Sequence, residues 1–195
     1  MKKIFKILIA ALIALVLGSA VGVGSALVAY DAVASAYSVK NGPWQTSLAV
    51  GSEDASLYTR ASVAVHALLA LRKSETVYYT AYKDDNGDPL NSNYVYRIEG
   101  KNPDARWWSI TVYGADDFLI ANELNRYSYN MNNVASNADG SYTIYLSRNQ
   151  RSGNWLPLGN QSKFSLSLRL YNPGSTVLDN PATVELPHII REGAR

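Results

Sequence analysis

RWWSITVYGADDFLIANELNRY, Arg106 to Tyr127, is the stretch whose reading decides this fold. Two tryptophans lead into a run of alternating character. In an extended chain Trp108, Ile110 and Val112 project to one side, and Trp107, Ser109, Thr111 and Tyr113 to the other. Gly114 to Asp117 has turn chemistry, and Asn125, Arg126 and Tyr127 close the stretch with a polar cluster. A strand with one apolar face needs a second layer to bury it, so the rest of the chain is expected to supply sheets around this one.

The period of two recurs on both sides. Thr76–Tyr82, Tyr94–Glu99 and Ser141–Ser147 read as strands, and Phe118–Ala121 as a short apolar one. Phe164–Tyr171 alternates most cleanly: Phe164, Leu166, Leu168 and Leu170 face a core, and Ser165, Ser167, Arg169 and Tyr171 face away. Lys83–Pro89 (KDDNGDP) and Gly100–Asp104 are turns, while Asn130–Gly140 and Arg148–Gly159 are loops, the second holding Asn154-Trp155-Leu156-Pro157. Pro173-Gly174 ends the last strand, and the tail Thr176–Arg195, with Pro181 and Pro187, reads as irregular. One helix interrupts the strands. Leu57, Ala61, Ala64, Val65, Leu68 and Leu71 fall at helical spacing over Leu57–Lys73, with Asp54 as N-cap and Arg72 and Lys73 at the negative end of the dipole. The pattern predicts a mainly β chain with one amphipathic helix laid on a sheet, in an antiparallel jelly-roll-like β-sandwich.

The first thirty residues differ from the rest. Ile7 to Tyr30 carries no charge, and Lys2, Lys3 and Lys6 precede it. Its 24 residues rise about 36 Å as a helix, enough for a hydrocarbon core of about 30 Å. The lysines favour a cytoplasmic N-terminus and an exported domain. We expect an uncleaved single-pass anchor in the inner membrane, with the domain facing the periplasm or the exterior. The alternative is a signal sequence cleaved near Ala34-Ser35-Ala36, releasing the domain to the periplasm. Gly18, Gly22 and Ala26 repeat at the four-residue spacing that permits close helix packing. The expected organisation is a membrane segment over residues 1–30, a tether over 31–43 and a sandwich domain over 44–195, with Trp44 docked on it.

Composition excludes several classes. Of 18 Lys and Arg, three lie in the N-terminal segment, leaving 15 against 16 Asp and Glu. That balance is not a nucleic-acid footprint, which needs a concentrated basic face. The absence of cysteine removes thiol catalysis, disulfides and thiolate-held metals. His66 and His188 stand far apart without a ligand partner at metal spacing, so no metal and no cofactor is expected. In Lys83–Pro89, Asp84, Asn86 and Asp88 alternate as in a calcium loop, but Pro89 and Val95 stand where that loop needs Gly and Glu.

WWSITVYG, NELNRYS, ADGSYTIYL, GNWLPLG and FSLSLRLYNP occur in this order, and together they resemble the bacterial "domain of unknown function 1214" family over roughly Trp44 to Arg195. The resemblance implies a jelly-roll-like sandwich with an exported address. It also implies a short stand-alone form, without the second uncharacterised domain, numbered 1254, that often precedes this one. It implies no established activity.

The residues themselves offer one candidate surface. Arg97, Ser109, Thr111, Tyr113, Arg169 and Tyr171 form an outward row on strands, with Asn125, Arg126, Tyr127, Asn154 and Trp155 on loops beside it. Arginine offers forked donors to carboxylate or phosphate, and tyrosine and tryptophan offer flat faces to a sugar. The leading expectation is a non-catalytic envelope binding module for an anionic or sugar-like ligand. Against it stands the reading that these groups close the sandwich by bonding carbonyls and loop ends. A second hypothesis is an envelope hydrolase of carbohydrate or ester, with acids from Asp116 and Asp117 beside Tyr113 and Arg126 and with Glu123 or Asp139 as partner. A third is a structural partner of another envelope protein, which would expose an apolar patch.

Overall fold

Strands β5 (Ala105–Gly114) and β9 (Phe164–Pro173), ten residues each, form the centre of the protein. They run antiparallel with Trp108 opposite Leu170, Ile110 opposite Leu168 and Val112 opposite Leu166. All six side chains are buried, as the alternation of both segments requires. Full burial of each such side chain stabilises by about 1.5–3 kcal/mol relative to exposure.

The computed structural model describes residues 2–36, 38–52, 55–65 and 71–194. Beside β5 and β9 lie β1 (Val39–Asn41), β2 (Trp44–Thr46), β3 (Thr76–Ala81) and β6 (Ser128–Asn130). Together they make a six-stranded sheet in the order β1-β2-β3-β9-β5-β6. The second sheet has four strands: β4 (Tyr94–Gly100), β7 (Tyr142–Ser147), β8 (Asn154–Pro157) and β10 (His188–Ala194), in the order β10-β4-β7-β8. Its inner face carries Tyr96, Ile98, Ile144, Leu146, Leu156 and Ile189 into the same core. Two aromatic pairs lock the layers. Trp108 stacks on Tyr142 at 4.6 Å, and Tyr96 meets Phe164 edge-on at 5.6 Å. The chain is therefore mostly β, with two sheets packed face to face.

Several local expectations need correction. Val39–Asn41, within the stretch read as a tether, pairs with Trp44–Thr46 across a two-residue turn. Gly42, at φ 57°, supplies the left-handed conformation this turn needs. Arg148–Gly159 is not wholly loop, because β8 lies in it, and β8 runs parallel to β7 rather than antiparallel. All four β8 residues are buried, so no alternation marks them. Phe118–Ala121 is not a strand: only Leu119 makes a single bridge, to Tyr113, and Phe118 is exposed. The tail is ordered by α3 (Ser175–Asp179) and by β10, which bulges between Arg191 and Gly193.

The tail is also pinned to the far end of the large sheet. Asn41 Nδ2 donates to Val184 O at 2.7 Å, Tyr79 Oη to Pro181 O at 2.9 Å, and Trp44 Nε1 to Pro187 O at 2.7 Å. Lys83–Pro89 is a turn, and it staples β10 in place. Buried Asp84 accepts the Asn86 and Asp88 amides, Asp85 holds His188 Nδ1 at 2.8 Å, and Asp88 holds Arg191 at 2.6 Å.

Two helices complete the chain. α1 (Lys2–Ala36) contains Lys3–Val28, which is apolar and long enough to cross a membrane, as an anchor or a signal sequence would be. α2 spans Leu57–Val65. Its cap is Ser56, whose Oγ accepts the Thr59 amide at 3.1 Å. It neighbours α1 more closely than any strand, so it is not the sheet-covering helix expected from the spacing. Arg72 and Lys73 fall beyond it, and Asp54, His66 and Leu68 lie outside the described residues.

Candidate functional site

The outer face of the six-stranded sheet collects the polar halves of β3, β5, β6 and β9. Register places Tyr78 opposite Arg169, Arg169 opposite Ser109, and Ser109 opposite Asn130. The adjacent row is Thr80, Ser167, Thr111 and Ser128. Arg169 lies at the middle of this face and runs along β5. Its Nη1 donates to Thr111 Oγ1 at 3.1 Å and its Nη2 to Tyr113 Oη at 2.7 Å. The guanidinium carbon sits 5.6 Å from the Tyr113 ring centroid and 6.0 Å from that of Tyr78. Small, buried Ser109, Ser165 and Ser167 form the floor, and Trp107 and Tyr171 meet edge-on at 5.0 Å alongside.

The partners of Arg169 decide what this face can do. Two of the five guanidinium N–H groups are used, both on neutral hydroxyls. No carboxylate pairs with Arg169 among the described residues. A half-buried cation balanced only by hydroxyls and ring faces is well placed for an anion.

The other sequence candidates divide into three groups. Ser109, Thr111, Tyr113, Arg169 and Tyr171 share this face. Arg97 does not, because β4 belongs to the opposite sheet; there it faces Glu99 at 3.1 Å and Glu192 at 3.6 Å. Asn125, Arg126, Tyr127, Asn154 and Trp155 act at the edge where β6 approaches β8. Arg126 Nη1 donates to Trp155 O at 3.3 Å and its guanidinium lies 5.9 Å from the Tyr129 ring centroid. Tyr129 Oη accepts the Trp155 amide at 3.1 Å. Asn154 is buried; its Oδ1 accepts the Ala135 amide, and its Nδ2 donates to Ala135 O and Thr143 O. Trp155 Nε1 donates to Ser147. Asn125, at φ 48°, receives the Tyr127 hydroxyl. These groups satisfy the polar edge of β8, which would otherwise offer unpaired backbone.

Asp116 and Asp117 lie on the exposed turn after β5, where Asp116 Oδ1 accepts the Phe118 amide at 3.2 Å and Asp117 has φ 62°. Asp139 is likewise exposed, and bonds from the Ser141 hydroxyl and amide hold its carboxyl below the usual carboxylate range. Sequence reasoning missed Tyr78. The period of two in β3 places it on the face opposite Val77 and Tyr79, but only the β3–β9 register brings it to Arg169.

The architecture is thus a two-sheet sandwich with a polar, aromatic-lined outer face and an N-terminal apolar helix. The chain belongs to the protein family of unknown function DUF1214, whose model matches residues 75–175. That span holds every member of the Arg169 face. The fold is similar to the crystal structure of the VPA0106 protein from Vibrio parahaemolyticus, with 26% identity and a TM-score of 0.58 over 70% of this chain. An uncharacterised protein from Burkholderia cenocepacia gives 20% identity and a TM-score of 0.42 over 62% of the chain. The chain spans 36% and 30% of the lengths of these two proteins. A comparison with curated proteins finds no match.

Proposed function

We propose that this protein is a non-catalytic binding module of the cell envelope, and that its six-stranded sheet takes the anionic group of a sugar-like ligand at Arg169. The observation that supports the reading is the guanidinium itself: half-buried, pre-positioned by Thr111 and Tyr113, and without a carboxylate partner among the described residues. An incoming carboxylate or phosphate would accept its unused N–H groups as charge-assisted bonds. Tyr78, Trp107 and Tyr171 would offer ring faces to the rest of the ligand. In this reading α1 is an uncleaved inner-membrane anchor, with Lys2, Lys3 and Lys6 in the cytoplasm and the sandwich in the periplasm or outside the cell.

The test titrates the full-length protein in detergent with glucuronate, inorganic phosphate and glucose, followed by calorimetry. Glucuronate is expected to bind, glucose to bind at least about tenfold more weakly, and Arg169→Met to abolish the difference while the protein stays folded. If folded Arg169→Met binds glucuronate as the parent does, or the parent binds no anion, the reading fails.

A second reading has its own observation. Phe118, Leu119 and Leu124 are exposed on one loop, with Asp116, Asp117 and Glu123 around them. Such a surface suits a protein partner with an apolar pocket rimmed by basic groups. Phe118→Ser together with Leu124→Ser should then release a defined partner without lowering thermal stability.

A further inference from the structure

At one end of the sandwich a cavity of about 300 Å³ opens beside β4, β7 and β10, away from the Arg169 face. Its size is at the lower end for small-molecule sites, which run about 300–1,000 Å³. Three strands build its wall. His188, Glu99 and Thr143 occupy one cross-strand row and so present an imidazole, a carboxylate and a hydroxyl side by side. In the next row Gly100 stands opposite Tyr142. A β-carbon at Gly100 would lie 3.1 Å from Tyr142 Oη and 3.0 Å from Pro187 Cβ, so the missing side chain is what keeps this corner open. Lys101 and Glu185 complete the charged lining.

Most of these groups hold unused bonding capacity. Tyr142 Oη is buried and has no hydrogen-bond partner among the described residues, a costly state unless something from the cavity reaches it. Lys101 and Glu185 make no described ion pair. His188 spends Nδ1 on Asp85, which leaves Nε2 free at an exposed position. The lining therefore offers cationic and anionic groups within one small concavity, together with hydroxyls.

We propose that this cavity binds a compact zwitterion, a free α-amino acid, with its ammonium toward Glu185 and its carboxylate toward Lys101. A neutral sugar fits less well, because no open aromatic face lines the cavity: the Tyr142 ring is buried against Trp108. A simple anion would meet Glu99 and Glu185, and a simple cation would meet Lys101. Only a ligand carrying both charges satisfies both sides.

The experiment uses the full-length protein in detergent and titrates it with glycine, L-alanine and L-glutamine, against acetate, methylammonium and glucose as controls. On Arg169→Met, which lacks the sheet-face anion site, at least one amino acid should bind at least about tenfold more tightly than every control. Glu185→Gln and Lys101→Met, both at exposed positions, should each weaken it by about tenfold or more with thermal stability unchanged, while Arg169→Met leaves it intact. The proposal is overturned if glucose or a single-charge control matches the amino acids on Arg169→Met, where the sheet face takes no anion. It is overturned equally if no amino acid binds the folded protein, or if both cavity variants bind as the parent does. The Arg169 arm separates this outcome from failure of the sheet-face reading.

Discussion

Tyr129→Phe removes one oxygen, and its consequence can be worked from the geometry at the β6–β8 edge. The Tyr129 hydroxyl accepts the Trp155 amide at 3.1 Å, and both residues are buried. β8 is bonded on its other side to β7, so the Trp155 amide faces outward with no second strand to receive it. Phenylalanine keeps the ring and its packing but leaves that donor unpaired. A buried unsatisfied donor costs about 1–3 kcal/mol. For a domain of this size 1 kcal/mol moves Tm by about 2–4 °C, so a cost near 2 kcal/mol lowers Tm by roughly 4–8 °C. The neighbouring Arg126 reaches the carbonyl of the same residue, Trp155, at 3.3 Å. Arg126→Met should therefore cost less, about 1 kcal/mol, because that bond is long and partly exposed. The two effects should not add, since both groups hold Trp155 and the Arg126 guanidinium lies 5.9 Å from the Tyr129 ring. The assay is thermal and urea unfolding of the parent, both single variants and the double variant in the same detergent. A Tm for Tyr129→Phe within one degree of the parent would show that this edge is satisfied by other means, and the clasp argument would fall.

Other outcomes follow from the core and the termini. Trp108→Ala removes a fully buried indole, its stack on Tyr142 and its 2.8 Å bond to Asn102, and should cost about 3–5 kcal/mol in urea unfolding. Burial raises the phenols of Tyr79, to about 12, and of Tyr96 and Tyr142 above their ordinary value. Their folded pKa values exceed the unfolded value of about 10, so the stability they confer is complete below that pH and lost as pH rises towards the folded values. Absorbance at alkaline pH should show exposed members of the 14 tyrosines ionising first and these three only as the protein unfolds. Because the chain contains no cysteine, Lys40→Cys introduces a unique thiol at an exposed position on the domain side of α1. A membrane-impermeant maleimide should label it in cells whose outer membrane is permeabilised, and failure to label until the inner membrane is lysed would overturn the proposed topology.

How much of this was legible depended on whether a segment has two different faces. β5 and β9 do, and their alternation gave both the strands and their buried sides. β8 is buried on all sides, so NWLP carries no period and reads as loop. β10 hides behind Pro187 and is broken by a bulge at Glu192, and contacts distant in sequence, the Asp84–Asp88 staple and the β4 register, hold it in place. At the start of α2 the cap bond that is described comes from Ser56, the residue immediately before Leu57, while the expected cap Asp54 lies outside the described residues. The candidate site was half legible. Alternation put Ser109, Thr111, Tyr113, Arg169 and Tyr171 on outward faces, and that was right. It could not say that β4 lies in the other sheet.

The three candidate arginines show why that last distinction controls function. Arg97, Arg126 and Arg169 are chemically identical, and the sequence pattern places the first and last in one outward row with Arg126 on a loop beside it. Register gives them different partners: carboxylates for Arg97, a backbone carbonyl for Arg126, neutral hydroxyls and rings for Arg169. An arginine already facing carboxylates gains little from an added anion, and one spent on a strand edge exchanges stability for any ligand it takes. Arg169 alone of the three keeps forked donors free of either commitment. The expected consequence is a separation of phenotypes: Arg126→Met lowers thermal stability and leaves anion binding intact, whereas Arg169→Met removes anion binding from a protein that stays folded. If the two variants lose binding in parallel with stability, the face is structural and the three arginines are alike after all.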